Sequence, residues 1–271
     1  MAVLENEEGI DGVLNKHREH FCKLLLAFTG KQLNPNTILK IPVHEDPIHG
    51  VTDSDEKTVF DKLQYWIDMP VAENAGISIK RLRNGLKLKI HIFTYRSSPS
   101  LRVRQNEAGM KEWKDAALRA YKQSNFFLPR VLCIISKHQK LHRFSERIFD
   151  RAMLVRMRLE NSQKIGIRPI DILTKCWLQK KGIEYDTITI EKGSEDASDP
   201  RGHFRNRFYI SRKKKIKFFV EDDPEKAIKL AYICDVVFLM EQSYNINEKL
   251  PNNVVRVCNW DDVYRQARKY S

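Results

Sequence analysis

The stretch Phe218-Phe219-Val220-Glu221-Asp222-Asp223-Pro224 limits the fold more tightly than any other part of the chain. Its apolar run shows no polar alternation, the pattern of a strand covered on both faces, as in parallel sheets flanked by helices. Three carboxylates end the run, and Pro224 suits the first turn of a helix. In open α/β sheets ligands bind outside the carboxyl ends of the strands. Adjacent acids at such an end form an oxygen-rich corner suited to a hard cation such as Mg²⁺. A solvated acidic turn at a helix N-terminus, where negative charge is favoured anyway, accounts for the same residues without a ligand.

The rest of the chain alternates in the same way. Phe21, Leu24, Leu25 and Phe28 fall at helical spacing, with Gly30 as the stop. A loop-rich stretch runs from Asn34 to Asp55. Ala75–Asn84 reads as a helix leading through Gly85 into a strand over Leu86–Thr94. Helical patterns follow at Glu107–Gln123 and Ser145–Leu159, with a possible strand at Phe126–Ile135 between them. Beyond these come a helix at Pro169–Lys181, a strand at Asp186–Ile190, and a Ser/Asp/Gly/Pro loop at Gly193–Gly202. The last third predicts strand Ile216–Val220, helix Pro224–Ala231, strands Val236–Met240 and Val254–Cys258, and helix Asp261–Tyr270. Apolar strands separated by helices predict an α/β fold, a Rossmann-like, mainly parallel sheet with helices on both faces.

At 271 residues the chain can bury a proper core. No run approaches the ~18 apolar residues of a membrane span, and the acidic start (Glu5, Glu7, Glu8) lacks the order of a signal peptide. Five scattered cysteines without a CxxC argue against a disulfide framework or zinc site and fit a reducing cytoplasm. Each lies in an apolar segment and reads as core filler. The net charge of +13 favours polyanionic partners. Residues 102–164 hold 15 Lys/Arg and 6 Asp/Glu, so they supply +9 of it. Arg205, Arg207, Arg212, Lys213, Lys214, Lys215 and Lys217 form a second basic run. Nucleic-acid binding through these segments is one reading and solvated basic faces the other.

Three strand ends stand out in order: Gly9-Ile10-Asp11-Gly12-Val13-Leu14, Ile92-Phe93-Thr94-Tyr95-Arg96, and Glu221-Asp222-Asp223. Together they resemble the signature of the haloacid dehalogenase-like (HAD) superfamily, and in particular its 5′(3′)-deoxyribonucleotidase-type members. The likeness extends to the tail, through Glu241-Gln242-Ser243-Tyr244-Asn245, Val254 to Val257, and Asn259-Trp260-Asp261. It covers residues 9–101 and 167–270. The resemblance implies a core of 1–101 and 167–271, a small helical cap within 15–75, and a basic helical insert at 102–166. It also implies a Mg²⁺-dependent phosphomonoesterase acting on a phosphorylated small molecule such as a nucleotide. In such enzymes one Asp attacks phosphorus and a second acts as acid and base, while a hydroxyl, a lysine and metal-binding acids neutralise charge. By position, Asp11 matches the acid/base and a metal ligand, Thr94 the phosphate-binding hydroxyl, and Glu221 with Asp222 the metal acids. Lys192 and Lys213, or its neighbours Lys214 and Lys215, compete for the lysine. Arg96 is placed to hold a phosphate.

The nucleophile position is Gly9, which has no side chain to attack with. Glu5-Asn6-Glu7-Glu8 ahead of it do not suit a buried strand, and the apolar Met1–Leu4 lies too far upstream for a strand that ends at the motif. Three explanations stay open: a phosphatase fold that binds without hydrolysing, a start that departs from the ancestral one, or an active site elsewhere. The alternative function is a non-catalytic phosphate- or nucleic-acid-binding or interaction protein on this scaffold. His17 and His20 share one helical face, but no third metal ligand is evident; His17 reads as near the phosphate pocket or solvent-facing. His44-Glu45-Asp46, His49, Asp53, Asp55 and Glu56 read as a solvated acidic loop, or, by the resemblance, as part of a cap that touches the leaving group, and Tyr65-Trp66 as either core or a stacking surface.

Overall fold

The computed structural model describes residues 2–4, 13–38, 43–95, 101–123, 168–191 and 216–271. Contacts divide the chain into two compact units, Met1–Ser97 with Lys181–Ser271, and Ser98–Lys180. The first holds a six-stranded, wholly parallel sheet: β1 (Ala2–Leu4), β2 (Ile90–Tyr95), β3 (Thr187–Glu191), β4 (Phe218–Glu221), β5 (Val236–Met240) and β6 (Val254–Val257). Its order is β3-β2-β1-β4-β5-β6. The α/β class and parallel sheet are as the sequence predicts. The chain steps from β1 outward to β3, then returns to the other side of β1 for β4, so the topological switch point lies between β1 and β4.

One expectation is overturned. The central strand is Ala2–Leu4, the apolar segment set aside as too far upstream, and Leu4 registers with Ile92 on β2 and Val220 on β4. Strand length is the reason: three apolar residues are enough for a strand paired on both sides, and the acids that follow do not have to join it. The start of β2 also differs. Leu86 and Leu88 both donate to the Leu82 carbonyl, at 3.3 Å each, and Lys87 between them has φ 55°, so the chain turns there and the strand begins at Ile90.

Between β1 and β2 lie α1 (His17–Thr29), α2 (Asp53–Phe60), α3 (Leu63–Ile67) and α4 (Ala75–Gly85). Gly30 closes α1 at φ 74°, with its N–H on the Leu26 carbonyl at 3.0 Å, a conformation that favours glycine. The stretch expected to be loop holds the start of α2, because Thr52 and Asp55 form a reciprocal capping box. After β4 comes α8 (Pro224–Leu230), and after β6 comes α9 (Trp260–Lys269). Phe93, Phe219, Val237 and Leu239 form a core with Ala227 and Leu230 of α8. The opposite-facing Ile92, Phe218, Val220 and Phe238 are equally buried, so both faces of the sheet are covered. Helices α4 and α9 pack on each other.

In the second unit, α5 (Leu101–Gln105) and α6 (Glu107–Gln123) are followed by α7 (Pro169–Lys180), which packs against α6. Trp113 and Ala117 of α6 and Leu173 and Trp177 of α7 are buried. The expected elements at Phe126–Ile135 and Ser145–Leu159 and the loop Gly193–Gly202 lie outside the described residues, as does Cys133. Cys22, Cys176 and Cys234 are buried as expected, but Cys258 is exposed, because β6 ends at Val257 and frees the next residue. Among the described residues no helix is long and apolar enough to cross a membrane.

Trp260 ties the C-terminal helix to the chain that follows the first strand: its indole Nε1 donates to the Val13 carbonyl at 2.7 Å, and both residues are fully buried. Trp260→Phe leaves that carbonyl unpaired and should cost about 1–3 kcal/mol. Arg265→Ala, on an exposed ion pair of the same helix, should change stability by less than about 0.5 kcal/mol. Urea unfolding of the two variants checks the contrast.

Candidate functional site at the sheet switch point

The register places two of the sequence-predicted residues at one level. Leu4 lies opposite Ile92 and Val220, so Thr94 and Asp222 each stand two residues further along, on either side of β1. Two strand spacings separate them by about 10 Å. Thr94 is fully buried at the end of β2. Glu221, the last residue of β4, is also fully buried, and its Oε1 accepts the N–H groups of Asp222 and Asp223 at 3.0 and 3.1 Å. A strand-end carboxylate thus stands in for the ladder that those amides have left. Asp223 then caps α8: its Oδ1 accepts the Lys226 N–H at 3.2 Å and its Oδ2 pairs with Lys226 Nζ at 3.0 Å.

Asp222 is turned the other way. Tyr244 Oη donates to its Oδ2 at 2.5 Å, and Asn245 Nδ2 donates to its carbonyl at 2.8 Å. Asn245 is fully buried and uses every polar position. Nδ2 also reaches the Met240 carbonyl at 2.9 Å, while Oδ1 accepts from Gln242 N and Arg256 Nη1, both at 3.1 Å. The segment after β5 is thereby latched to the acidic turn after β4.

Arg18, in the first turn of α1, completes the group. Its guanidinium carbon sits 4.2 Å over the Tyr244 ring, and Nη1 donates to Ser243 Oγ at 2.8 Å. Ser243 in turn donates to the Ile38 carbonyl at 3.0 Å. Nη2 is shielded from solvent without an acceptor among the described residues.

Burial raises the Asp222 carboxyl above its ordinary range, against the hydrogen bond from Tyr244 and the charge of Lys226. Burial, and then the charge of Asp222, push the Tyr244 phenol well up, so it stays a donor. Burial also lowers Arg18, with Tyr244 and Asp222 opposing that shift. Such a carboxylate, deprived of water beside a donor-rich loop, is chemically suited to a hard cation or to proton transfer. Among the described residues no group of three or more His, Cys, Asp or Glu side chains converges, so a cation held here would need further oxygens from outside this set.

The structure therefore brings Thr94, Glu221 and Asp222 to one end of the sheet. Asp11, Gly9, Arg96, Lys192 and Lys213 to Lys215 lie outside the described residues. Sequence reasoning missed the parts played by Arg18 and Tyr244. Tyr244 was visible only as part of the tail likeness, and Arg18 had no signal beyond following the first motif by one helical turn.

Two readings of the region between β1 and β2 are corrected. His17 is buried rather than solvent-facing, and His20 is buried with it: His17 Nδ1 hydrogen-bonds the Tyr65 hydroxyl, and both histidine rings pack on Tyr65 beside Phe60 and Trp66. Tyr65 is therefore core. The acidic stretch is only in part a solvated loop: Glu45 and Asp53 are exposed, but the other charges are spent internally. Glu56 is buried, accepting the Val43 N–H at 2.8 Å and pairing with His44 Nδ1. Asp46 caps a 3-10 turn, and Asp55 bonds Lys31 at 2.6 Å, which helps bring its carboxyl down to about 2.

Compared with known proteins, the chain matches no family model. Over 97 residues it is 31% identical to a nucleotidase of Clostridium acetobutylicum, covering 36% of this chain and 44% of that protein. The chain thus matches less than half the length of that relative.

Two outcomes are expected of these contacts. Tyr244→Phe removes the donor on a buried carboxylate and should destabilise the protein by about 1–3 kcal/mol in urea unfolding. The hydrogen bond to Glu56 raises the His44 pKa above its unfolded value. That stabilisation is full below pH ~6.5 and is lost as pH rises through the folded value. A melting series from pH 5.5 to 8.5 should show the loss, and His44→Asn should flatten it.

Proposed function

We propose that this chain is a nucleotidase-type protein on a HAD-like core, binding a phosphate monoester together with Mg²⁺. The observation that carries the reading is the buried Glu221-Asp222 turn at the carboxyl end of β4, beside the switch point and level with Thr94 across β1. The partial similarity to a protein named a nucleotidase supports the substrate class. The donor set fits the metal: all-oxygen and anionic, as Mg²⁺ prefers. Asp222 would hold it, with Glu221 fixing the turn behind and Asp11 as the further acid. When bound, Mg²⁺ neutralises phosphate oxygens and orients the monoester. Thr94 then donates to a phosphate oxygen, and Lys192 or Lys213 supplies positive charge. Arg96, next to the β2 strand end, adds a phosphate contact.

Gly9 stands where the covalent route needs a carboxylate. The proposed activity is therefore retained binding with hydrolysis impaired. A reducing cytoplasm is its proposed setting, in keeping with the buried thiols Cys22, Cys176 and Cys234.

Calorimetric titration with a nucleoside monophosphate panel, with and without Mg²⁺, tests the binding. Mg²⁺-dependent affinity is expected, and Asp222→Asn should weaken it at least about tenfold, the loss of one charge-assisted contact. Phosphate release should be near background in the chain as it stands and should rise in Gly9→Asp. Folded protein that takes up no monophosphate in the presence of Mg²⁺ would overturn the reading.

A further inference from the structure

We infer that Arg18 is a phosphate-binding residue of this site, its Nη2 donating to a non-bridging oxygen of the monoester; the inference rests on the phosphate-monoester reading above. Three observations lead there. The guanidinium is oriented from two sides, by Tyr244 stacked beneath it at 4.2 Å and by Ser243 on Nη1 at 2.8 Å. Ser243 commits its own proton to the Ile38 carbonyl, so it can only accept from Arg18. What remains is a rigid, charged donor at Nη2, withdrawn from water and without an acceptor among the described residues. Buried polar groups are otherwise paired almost without exception, and one without an acceptor among the described residues calls for a further partner.

Charge explains why that partner is an anion. A phosphate arriving beside Asp222 and Glu221 meets carboxylates, and it needs a cation other than the metal to offset them. Lys226 lies close but is bound to Asp223 at 3.0 Å. Arg18 feels the Asp222 charge, yet among the described residues no ion pair holds it there. Its planar fork can therefore keep Ser243 on one nitrogen and take a phosphate oxygen on the other. Tyr244 links the two halves, donating to Asp222 through its hydroxyl and carrying Arg18 on its ring.

The test is calorimetric titration of wild type, Arg18→Ala and Arg18→Gln with inorganic phosphate, with a nucleoside monophosphate, and with Mg²⁺ alone. Loss of one charge-assisted hydrogen bond predicts about 10–100-fold weaker binding of both phosphate compounds by Arg18→Ala, with Mg²⁺ affinity unchanged. A residue that merely straps Ser243 and Tyr244 together would disturb the metal as well. If Arg18→Ala melts too low to titrate, Arg18→Gln, whose stem still packs on Tyr244, decides by the same measurements. Wild-type binding that either folded variant reproduces would overturn the role of Arg18 alone. Weakening confined to the nucleotide would overturn the assignment to phosphate. Absence of binding in the wild type would overturn both this inference and the function it rests on.

Discussion

Burying Glu221 is the constraint on which the rest of the site depends. A carboxylate without exposed surface is costly unless its oxygens are satisfied, and here Oε1 takes the next two backbone amides in the chain. That choice sets the turn. Once Asp222 N and Asp223 N point back at Glu221, Asp222 must face the loop after β5 and Asp223 must face the first turn of α8. The same side chain therefore ends the strand, starts the helix and aims the acid between them. Replacing it with an apolar residue of equal size would fill the space but leave two amides without an acceptor at the strand end.

Asn245 does for the neighbouring strand what Glu221 does for β4. Its amide spans the carbonyls of Met240 and Asp222 and is locked by Gln242 and Arg256. Arg256 also reaches the carbonyls of Asn245 and Glu248, at 2.5 and 3.1 Å. Two loops that leave adjacent strands are thus held in one register by side-chain amides rather than by a backbone ladder. An aspartate at 245 could not donate to either carbonyl, so the asparagine is required by hydrogen-bond sense and not by size.

Local chemistry decided how much could be read in advance. Val236–Met240 and Phe218–Val220 were legible because a doubly covered parallel strand must be apolar throughout, and α8 because proline and acids mark its start. Thr94, Glu221 and Asp222 were legible because strand ends in this fold collect function. The central strand was not: Ala2–Leu4 is short, and only pairing with β2 and β4 makes it a strand. Glu56 and His44 were misread because a charged stretch looks solvated until its partners are known, and those lie 12 and 13 residues apart in sequence. Arg18 was invisible for the same reason at longer range, since Ser243 is 225 residues away.

Not every buried polar group at this end of the sheet speaks for function. Glu221 is explained by the turn it closes, Asp223 by the helix it caps, and Asn245 by the loops it joins; a protein with no ligand would need all three to fold this way. Arg18 adds a charged donor at the same end of the sheet. Folding accounts for its Nη1 and for its stack on Tyr244, but a neutral, shorter side chain at position 18 could fill that space without a charged donor that lacks an acceptor among the described residues. Natural sequences keep such local conflicts chiefly where a ligand resolves them. The proposed function therefore rests on the pairing of a desolvated Asp222 with the Arg18 guanidinium across one tyrosine, more than on the number of acids in the run that first draws the eye.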